Sequence, residues 1–161
     1  MVAFALENGL DHEIRFYDLA NPNTILKRYS GKHFPGAQAE SNELMAFSSG
    51  GGEISLFASA TGELIDTVHG HGSSVFGLGF SPDGRRLISS AGGREAVKLW
   101  DVSTRQELLT LAGTGSILVR AKFSADGNVI LAGPPWQAWT APSWEEIART
   151  EAKEKTPIGQ P

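Results

Sequence analysis

The stretch HGHGSSVFGLGFSPDGRRLISSAGGREAVKLWDVSTRQELLTL, from His69 to Leu111, decides the fold class of this chain. It contains four runs of strand length that are apolar or alternate between apolar and polar residues. Between them lie turn sequences, of which SPDG at 81–84 is the clearest, because proline presets φ and glycine readily takes positive φ. This spacing predicts four short antiparallel strands, Val75–Phe80, Leu87–Ser90, Ala96–Trp100 and Glu107–Leu111.

Weaker copies of this unit lie on both sides of it. An aromatic residue closes the third run of each copy, and successive aromatics are 40, 43 and 39 residues apart. The motif FSPDG at 80–84 returns as FSADG at 123–127, a shift of 43 residues. Markers that share one period indicate a structural repeat. The repeat aromatics are Tyr17, Phe57, Trp100 and Trp139.

The repeat divides residues 1–141 into a partial unit at 1–31, a unit at 32–68, a complete unit at 69–112 and a partial unit at 113–141. The first strand of the second unit is predicted near Phe34–Ala39, although Pro35 and Gly36 weaken its pattern. After the last strand, the Ser-x-x-Glu spacing at 143–146 predicts a capped helix over 142–155. A disordered tail is expected over 156–161.

The composition narrows the functional class. Of the 161 residues, 40% are hydrophobic and 20% charged, which is typical of a soluble globular protein. A net charge of −4 with scattered basic residues disfavours nucleic-acid binding, and the short apolar start is too short to span a membrane. The absence of cysteine excludes disulfides and cysteine-ligated metals. We therefore expect a cytoplasmic protein without cofactor that binds neither nucleic acid nor membrane.

The complete unit resembles a WD40 repeat. The resemblance rests on Gly70-His71, on the turn motif at 80–84, on VKLWD at 97–101 and on Leu108 with Leu111. It extends, in weaker form, over residues 1 to 140. It implies an all-β fold in which antiparallel four-stranded blades form part of a β-propeller.

The resemblance also implies a hydrogen-bonded tetrad of histidine, serine, acid and tryptophan within a blade. His71 and Trp100 match the family pattern. Counting back from Trp100 without gaps places the serine at Ser90, whereas one extra loop residue would place it at Ser89. The acid position falls on Arg94, so the tetrad is incomplete unless Glu95 substitutes.

The strand count indicates incomplete end blades. The first unit lacks one strand and the last lacks its fourth, so the resemblance implies either the C-terminal portion of a longer array of bacterial type or an open arc of blades. Unpaired strand edges and uncovered blade faces would then favour self-association.

Residues that could carry other chemistry have simpler interpretations. His69 and His71 share a face, but no third ligand is near in sequence, so a metal site is not expected. Ser73 and Ser74 lie near His71 without an acid or a strained elbow, which disfavours a nucleophile. The basic residues that could contribute to a binding rim are Arg28, Lys32, Arg94, Arg120 and Lys122.

Three functions remain open from the sequence, and the least favoured is a propeller enzyme whose site uses loops from blades outside this sequence. The first is a non-catalytic propeller segment that serves as a protein–protein interaction scaffold, since propellers present rigid loop-built faces. The second is the C-terminal regulatory or sensing region of a larger enzyme, such as a bacterial Ser/Thr protein kinase, with the enzyme domain upstream.

Overall fold

The structure is a computed structural model that describes residues 2–8, 11–31 and 36–141; side chains are described for 13–30 and 36–141. Within these residues the regular secondary structure consists of strands alone. They are β1 Val2–Asn8, β2 Asp11–Tyr17, β3 Ile25–Gly31, β4 Gln38–Glu40, β5 Leu44–Ser48, β6 Glu53–Ala58, β7 Leu64–His69, β8 Gly77–Phe80, β9 Arg86–Ser90, β10 Gly93–Asp101, β11 Glu107–Gly115, β12 Arg120–Phe123, β13 Val129–Gly133 and β14 Gln137–Thr140.

These strands form four antiparallel sheets, which we call blades 1 to 4. Blade 1 is β1-β2-β3, blade 2 is β4-β5-β6-β7, blade 3 is β8-β9-β10-β11 and blade 4 is β12-β13-β14. Strands that follow one another along the chain are neighbours in each sheet, as short turns between antiparallel strands require. The prediction of an all-β fold built from antiparallel propeller blades is confirmed. The predicted helix over 142–155 and the tail over 156–161 lie outside the described residues.

One irregularity recurs at the same place in three blades. The pairing of the last two strands of each of these blades shifts register between Phe16 and Tyr17, between Leu56 and Phe57, and between Leu99 and Trp100. Such a bulge increases the local twist and redirects the side chain that follows it. The repeat aromatic stands immediately after the shift each time, so the sequence period corresponds to a repeated backbone geometry.

Two strands of blade 3 are longer than the sequence predicts. β10 begins at Gly93 rather than Ala96, and β11 continues to Gly115 rather than ending at Leu111. Glu95 pairs with Ala112, and Gly93 pairs with Gly115. Register shifts on both sides of Glu95 accommodate these pairs, so residues 93–95, which precede the predicted strand Ala96–Trp100, also belong to the sheet.

The cores lie between neighbouring blades. One buried cluster joins Ile54 and Leu56 of blade 2 to Leu78, Leu87 and Trp100 of blade 3. Similar clusters join blade 1 to blade 2 and blade 3 to blade 4, for example through Phe16 with Phe47 and Val97 with Ala132. Because a thin sheet cannot bury both faces by itself, each blade depends on its neighbours for stability.

The turn between β10 and β11 contains a backbone conformation that is costly for its residue. Arg105 has φ of 62°, whereas the equivalent turn of blade 2 has Gly62 with φ of 65°. In both turns this residue donates its N–H to the carbonyl four positions earlier, that of Asp101 or Ala58. A residue with a Cβ pays about 1 kcal/mol in this left-handed region. The Arg105 side chain lies 3.5 Å from Asp66 of blade 2, but both groups are half exposed.

We therefore expect Arg105→Gly to raise the free energy of unfolding by about 0.5–1 kcal/mol, because relief of backbone strain exceeds the value of an exposed ion pair. Urea denaturation of the purified chain measures this. Gly62→Ala is the matched control and should lower stability by about 1 kcal/mol. A lower stability of Arg105→Gly would show that the contact with Asp66 outweighs the strain.

Candidate functional site

The hydroxyl group of Ser89 contacts two other buried side chains, those of His71 and Trp100. The Trp100 Nε1–H donates to Ser89 Oγ at 2.8 Å, and Ser89 Oγ lies 2.7 Å from His71 Nε2. Ser89 is fully buried, and Trp100 and His71 are 5% and 8% exposed. The hydroxyl accepts the indole proton and can donate its own proton to a neutral imidazole. This arrangement links two strands to the segment that precedes β8.

The structure corrects the serine position to Ser89. Lys98 is the cross-strand partner of Ser89, and Val97 is the partner of Ser90. Trp100 lies two residues from Lys98 on the same strand and so shares the face of Ser89. The Ser90 hydroxyl, on the opposite face, donates instead to the Leu118 carbonyl at 2.8 Å and connects blade 3 to the segment entering blade 4.

Glu95 does not supply the missing acid. Its side chain is 69% exposed, and its carboxylate lies 3.7 Å from Lys98 Nζ. The Lys98 ammonium is buried and contacts Glu107 Oε2 and Thr110 Oγ1, each at 2.9 Å. Within the described part of the chain, no carboxylate makes a hydrogen bond or ion pair with His71. The acid of the family pattern is therefore replaced nearby by a lysine-centred network.

The environment of His71 keeps its imidazole neutral. Burial lowers the pKa of His71 from 6.5 to about 4, and the positive charge of Lys98 contributes in the same direction. The carboxylates of Glu107 and Glu95 oppose this shift but do not outweigh it. The histidine is therefore a hydrogen-bond acceptor at neutral pH and not a stored positive charge.

The residues beside His71 and Trp100 have defined structural tasks. A Cβ at Gly70 would lie 2.0 Å from the Trp100 ring, so only glycine allows this contact. Asp101 Oδ1 accepts the Ser103 hydroxyl proton at 2.6 Å and the N–H groups of Ser103 and Thr104 at 2.9 Å. The pKa of Asp101 is lowered to about 2, and the hydrogen bond from the Ser103 hydroxyl is the largest cause. The Thr104 N–H and the positive charge of Arg86 lower this pKa further. Trp100 thus donates a buried hydrogen bond, and Asp101 stabilises the turn that follows it.

The repeat aromatics Phe57 and Trp139 pack against apolar clusters. Phe57 lies in a cluster of aromatic rings with Phe16, Phe47 and Tyr29 that joins blades 1 and 2, and its contacts with Phe47 and Tyr29 are edge-on. Trp139 is half-buried against the cluster between blades 3 and 4. Tyr17 is half-buried, whereas the preceding Phe16 is fully buried. The repeat period points to Tyr17 and not to the buried Phe16, whose only signal in the sequence is that it is a second aromatic residue beside Tyr17.

The remaining reactive side chains within the described residues serve local structure. The Ser74 hydroxyl donates to the Gly50 carbonyl at 2.9 Å. Asp83 and Asp126 accept hydrogen bonds from Ser81 and Ser124 in equivalent turns, which lower both pKa values. No group of three potential metal ligands occurs in the ranges that the structure describes, and no helix there could cross a membrane.

Two grooves open between the blades. The larger, about 1370 Å³, lies between blades 2 and 3, and its turn residues carry both charges, including Glu43, Asp83, Arg85 and Arg105. The second, about 480 Å³, is bounded by blades 2, 3 and 4, and we call it the inner-strand groove. It is lined by Gly36, Ala37, Gln38, Phe76, Gly77, Leu78, Val119, Arg120, Ala121, Lys122 and Trp136.

Ser89→Ala should lower the free energy of unfolding by about 2–4 kcal/mol, because it leaves both the indole N–H and the imidazole nitrogen buried without a partner. Ser90→Ala, which frees a single carbonyl, should cost about 1–2 kcal/mol. Urea titrations of the two variants compare the serines directly. A larger loss for Ser90→Ala would contradict the central position of Ser89.

Protonation of His71 should make stability fall in mildly acidic solution. With a pKa of about 4 in the folded state and 6.5 as the ordinary value, the unfolded chain binds more protons between these limits. The free energy of unfolding should therefore decrease by about 2 kcal/mol as the pH falls from 6.5 to 4. His71→Gln should remove this part of the pH profile, and His69→Gln should retain it. Parallel profiles for wild type and His71→Gln would contradict the prediction.

Comparison with known proteins agrees with the blade geometry. The family model "WD domain, G-beta repeat" matches residues 62–101, which include Gly70, His71, Ser89 and Trp100. An uncharacterized WD repeat-containing protein of Synechocystis is 24% identical over 124 residues, which cover 76% of this chain and 36% of that protein.

Two eukaryotic relatives match shorter stretches. Transcription initiation factor TFIID subunit 5 of Caenorhabditis elegans is 43% identical over 58 residues, 36% of this chain and 9% of that protein. Eukaryotic translation initiation factor 3 subunit I of Scheffersomyces stipitis is 33% identical over 78 residues, 48% of this chain and 22% of that protein. The matched stretches thus span about a third or less of the length of these relatives. With its antiparallel blades, its 40-residue period and its Ser89-centred hydrogen bonds, the chain is a WD40-repeat protein.

Proposed function

We propose that this chain is a non-catalytic scaffold that binds other proteins. WD40 repeats generally serve as protein-interaction scaffolds, and two relatives are named as subunits of initiation factors. The observation that carries the proposal is an exposed indole on a rigid blade. Trp136 is 56% exposed in the inner-strand groove, while the histidine and serines of blade 3 are engaged in structural bonds. Exposed aromatic residues on a fixed surface are typical of protein-binding sites.

We also propose where the protein is located in the cell and how it binds its partners. We place the protein in the cytoplasm, which agrees with a chain that contains no cysteine. Binding then follows from shape and surface chemistry and needs no cofactor. The partner is a protein and not a nucleic acid or a membrane, since the basic residues are scattered and the net charge is −4.

The experiment is affinity capture of the tagged chain from its own cells with quantitative mass spectrometry. Trp136→Ala tests the groove, and Leu108→Ala, which removes a 49%-exposed side chain from β11, is the matched control. We expect a defined set of proteins with wild type and with Leu108→Ala, and a depleted set with Trp136→Ala. Absence of any protein enriched over an unrelated propeller would contradict the scaffold function.

A second candidate is a regulatory repeat region of a larger enzyme, such as a bacterial Ser/Thr protein kinase. One comparison favours it: the match covers 9% of TFIID subunit 5. WD40 repeats therefore occur within proteins that are much longer than the repeats themselves. Reading the coding sequence upstream of Met1 separates the two candidates. A kinase domain there favours the second, and further repeats alone favour the first.

Self-association is the remaining proposal about partners. β14 pairs with β13 on one side, and no other strand of the described residues pairs with its second edge. An unpaired edge can accept a strand from another molecule. We therefore expect the purified chain to elute as a dimer or larger species in size-exclusion chromatography with light scattering. A well-folded monomer at high concentration would contradict this expectation.

A further inference from the structure

We propose that the inner-strand groove binds an extended, acidic protein segment that also carries an aliphatic side chain. This inference rests on the proposed scaffold function and specifies the chemistry of the partner. It follows from three features of the groove: unpaired positive charge, the spacing of that charge along β12, and an indole fixed beside it.

The charge of the groove is opposite in sign to that of the chain. Arg120 and Lys122 line it, and none of its lining residues is acidic. Both side chains are exposed, and within the described residues neither has a carboxylate partner. The chain as a whole has a net charge of −4, so the sign of the charge in this groove differs from that of the whole chain. Two unpaired cations in one groove favour a negatively charged partner.

The spacing of the two cations suits an extended peptide. Arg120 and Lys122 alternate with the buried Ala121 along β12, so both side chains point to the same side of the strand. Their Cα atoms are about 7 Å apart, since a strand rises about 3.3 Å per residue. An extended peptide has the same repeat, so acidic residues two positions apart can reach both cations.

An apolar surface lies beside the cations. Trp136 and Val119 are 56% and 44% exposed, and both line the groove. A Cβ at Gly133 would lie 2.8 Å from the Trp136 ring, so the indole rests against the glycine backbone. A side chain that is already fixed loses little entropy when a partner binds. This surface favours an aliphatic residue next to the acidic ones.

A protein segment fits the groove better than a nucleic acid does. Single-stranded nucleic acids combine base stacking with a basic track along several phosphates. Here two cations lie in the groove, and the net charge of −4 would repel a longer polyanion. Nucleic acid is nevertheless included as an outcome of the test.

The test measures fluorescence anisotropy of a labelled peptide, Gly-Leu-Glu-Ser-Glu-Leu-Gly, during titration with the full chain. The matched peptide carries glutamine in place of both glutamates, and a labelled oligo(dT) represents nucleic acid. We expect saturable binding of the acidic peptide that is about tenfold tighter than that of the glutamine peptide and that weakens with salt. Absence of saturable binding, equal affinity for both peptides, or tighter binding of oligo(dT) would overturn the proposal.

Variants locate the site. Arg120→Glu and Lys122→Glu should each weaken binding of the acidic peptide about tenfold, and Trp136→Ala should weaken both peptides. The controls are Arg85→Glu, an exposed charge reversal in the other groove, and Leu108→Ala. Circular dichroism verifies that each variant is folded. Unchanged affinity in Arg120→Glu and Lys122→Glu, or an equal loss in Arg85→Glu, would overturn the assignment to this groove.

The outcomes separate this inference from the scaffold proposal. If the peptide does not bind but affinity capture still finds partners, the scaffold function stands and the partner chemistry proposed here is wrong. If partners are captured equally by wild type and by Arg120→Glu, the scaffold acts through another face. If neither experiment finds binding, both proposals fail.

Discussion

The indole of Trp100 joins two blades by contacts of different kinds. Its N–H is held by Ser89 within blade 3, and its ring packs with Ile54 and Leu56 of blade 2. Gly70 allows the chain to pass directly against the ring. A buried hydroxyl that serves both indole and imidazole is costly to disrupt, because it would leave two polar groups without partners. Trp100 therefore ties the hydrogen bonds inside blade 3 to the apolar cluster that blades 2 and 3 share.

In blade 2, the aromatic residue equivalent to Trp100 packs against other aromatic rings. Phe57 occupies the position of Trp100 but packs edge-on against Phe47 and Tyr29 and at a tilt against Phe16. Edge-on aromatic pairs are favourable, but they do not select one hydrogen-bond geometry. The bulge before each aromatic is nevertheless the same in blades 1, 2 and 3. The backbone bulge is thus present in blade 2 as well, where Phe57 stands in place of Trp100.

Stability and recognition are assigned to different parts of the molecule. The buried groups of blade 3 are satisfied internally, and His71 is a neutral hydrogen-bond acceptor, whose pKa the nearby Lys98 ammonium helps to lower. The exposed side chains of Arg120, Lys122 and Trp136 lie in the inner-strand groove instead. Rigid blades that carry exposed groups are suited to recognition, because binding then requires little rearrangement. This separation supports a role in binding. His71, Ser89 and Trp100, which together resemble a functional site, have structural roles instead.

The sequence alone determined the fold class and the repeat. Alternation, turn residues and aromatics are local signals, so the strands around Trp100 could be predicted without knowledge of their neighbours. Their limits were less predictable, because β10 begins at Gly93 through pairing with β11. Arg120 and Lys122 were visible as candidate rim residues, but their shared groove with Trp136 was not.

The tertiary structure decided which serine meets Trp100. A shift of one residue moves a strand side chain to the opposite face, so register separates Ser89 from Ser90. The sequence left both serines open and favoured Ser90 by an ungapped count. The pairing of Lys98 with Ser89 resolved this choice, and Ser90 faces Leu118. Contacts between blades likewise arise from residues distant in sequence, as in the pairing of Phe16 with Phe57. Local patterns specify the strands, whereas long-range packing specifies which side chains meet.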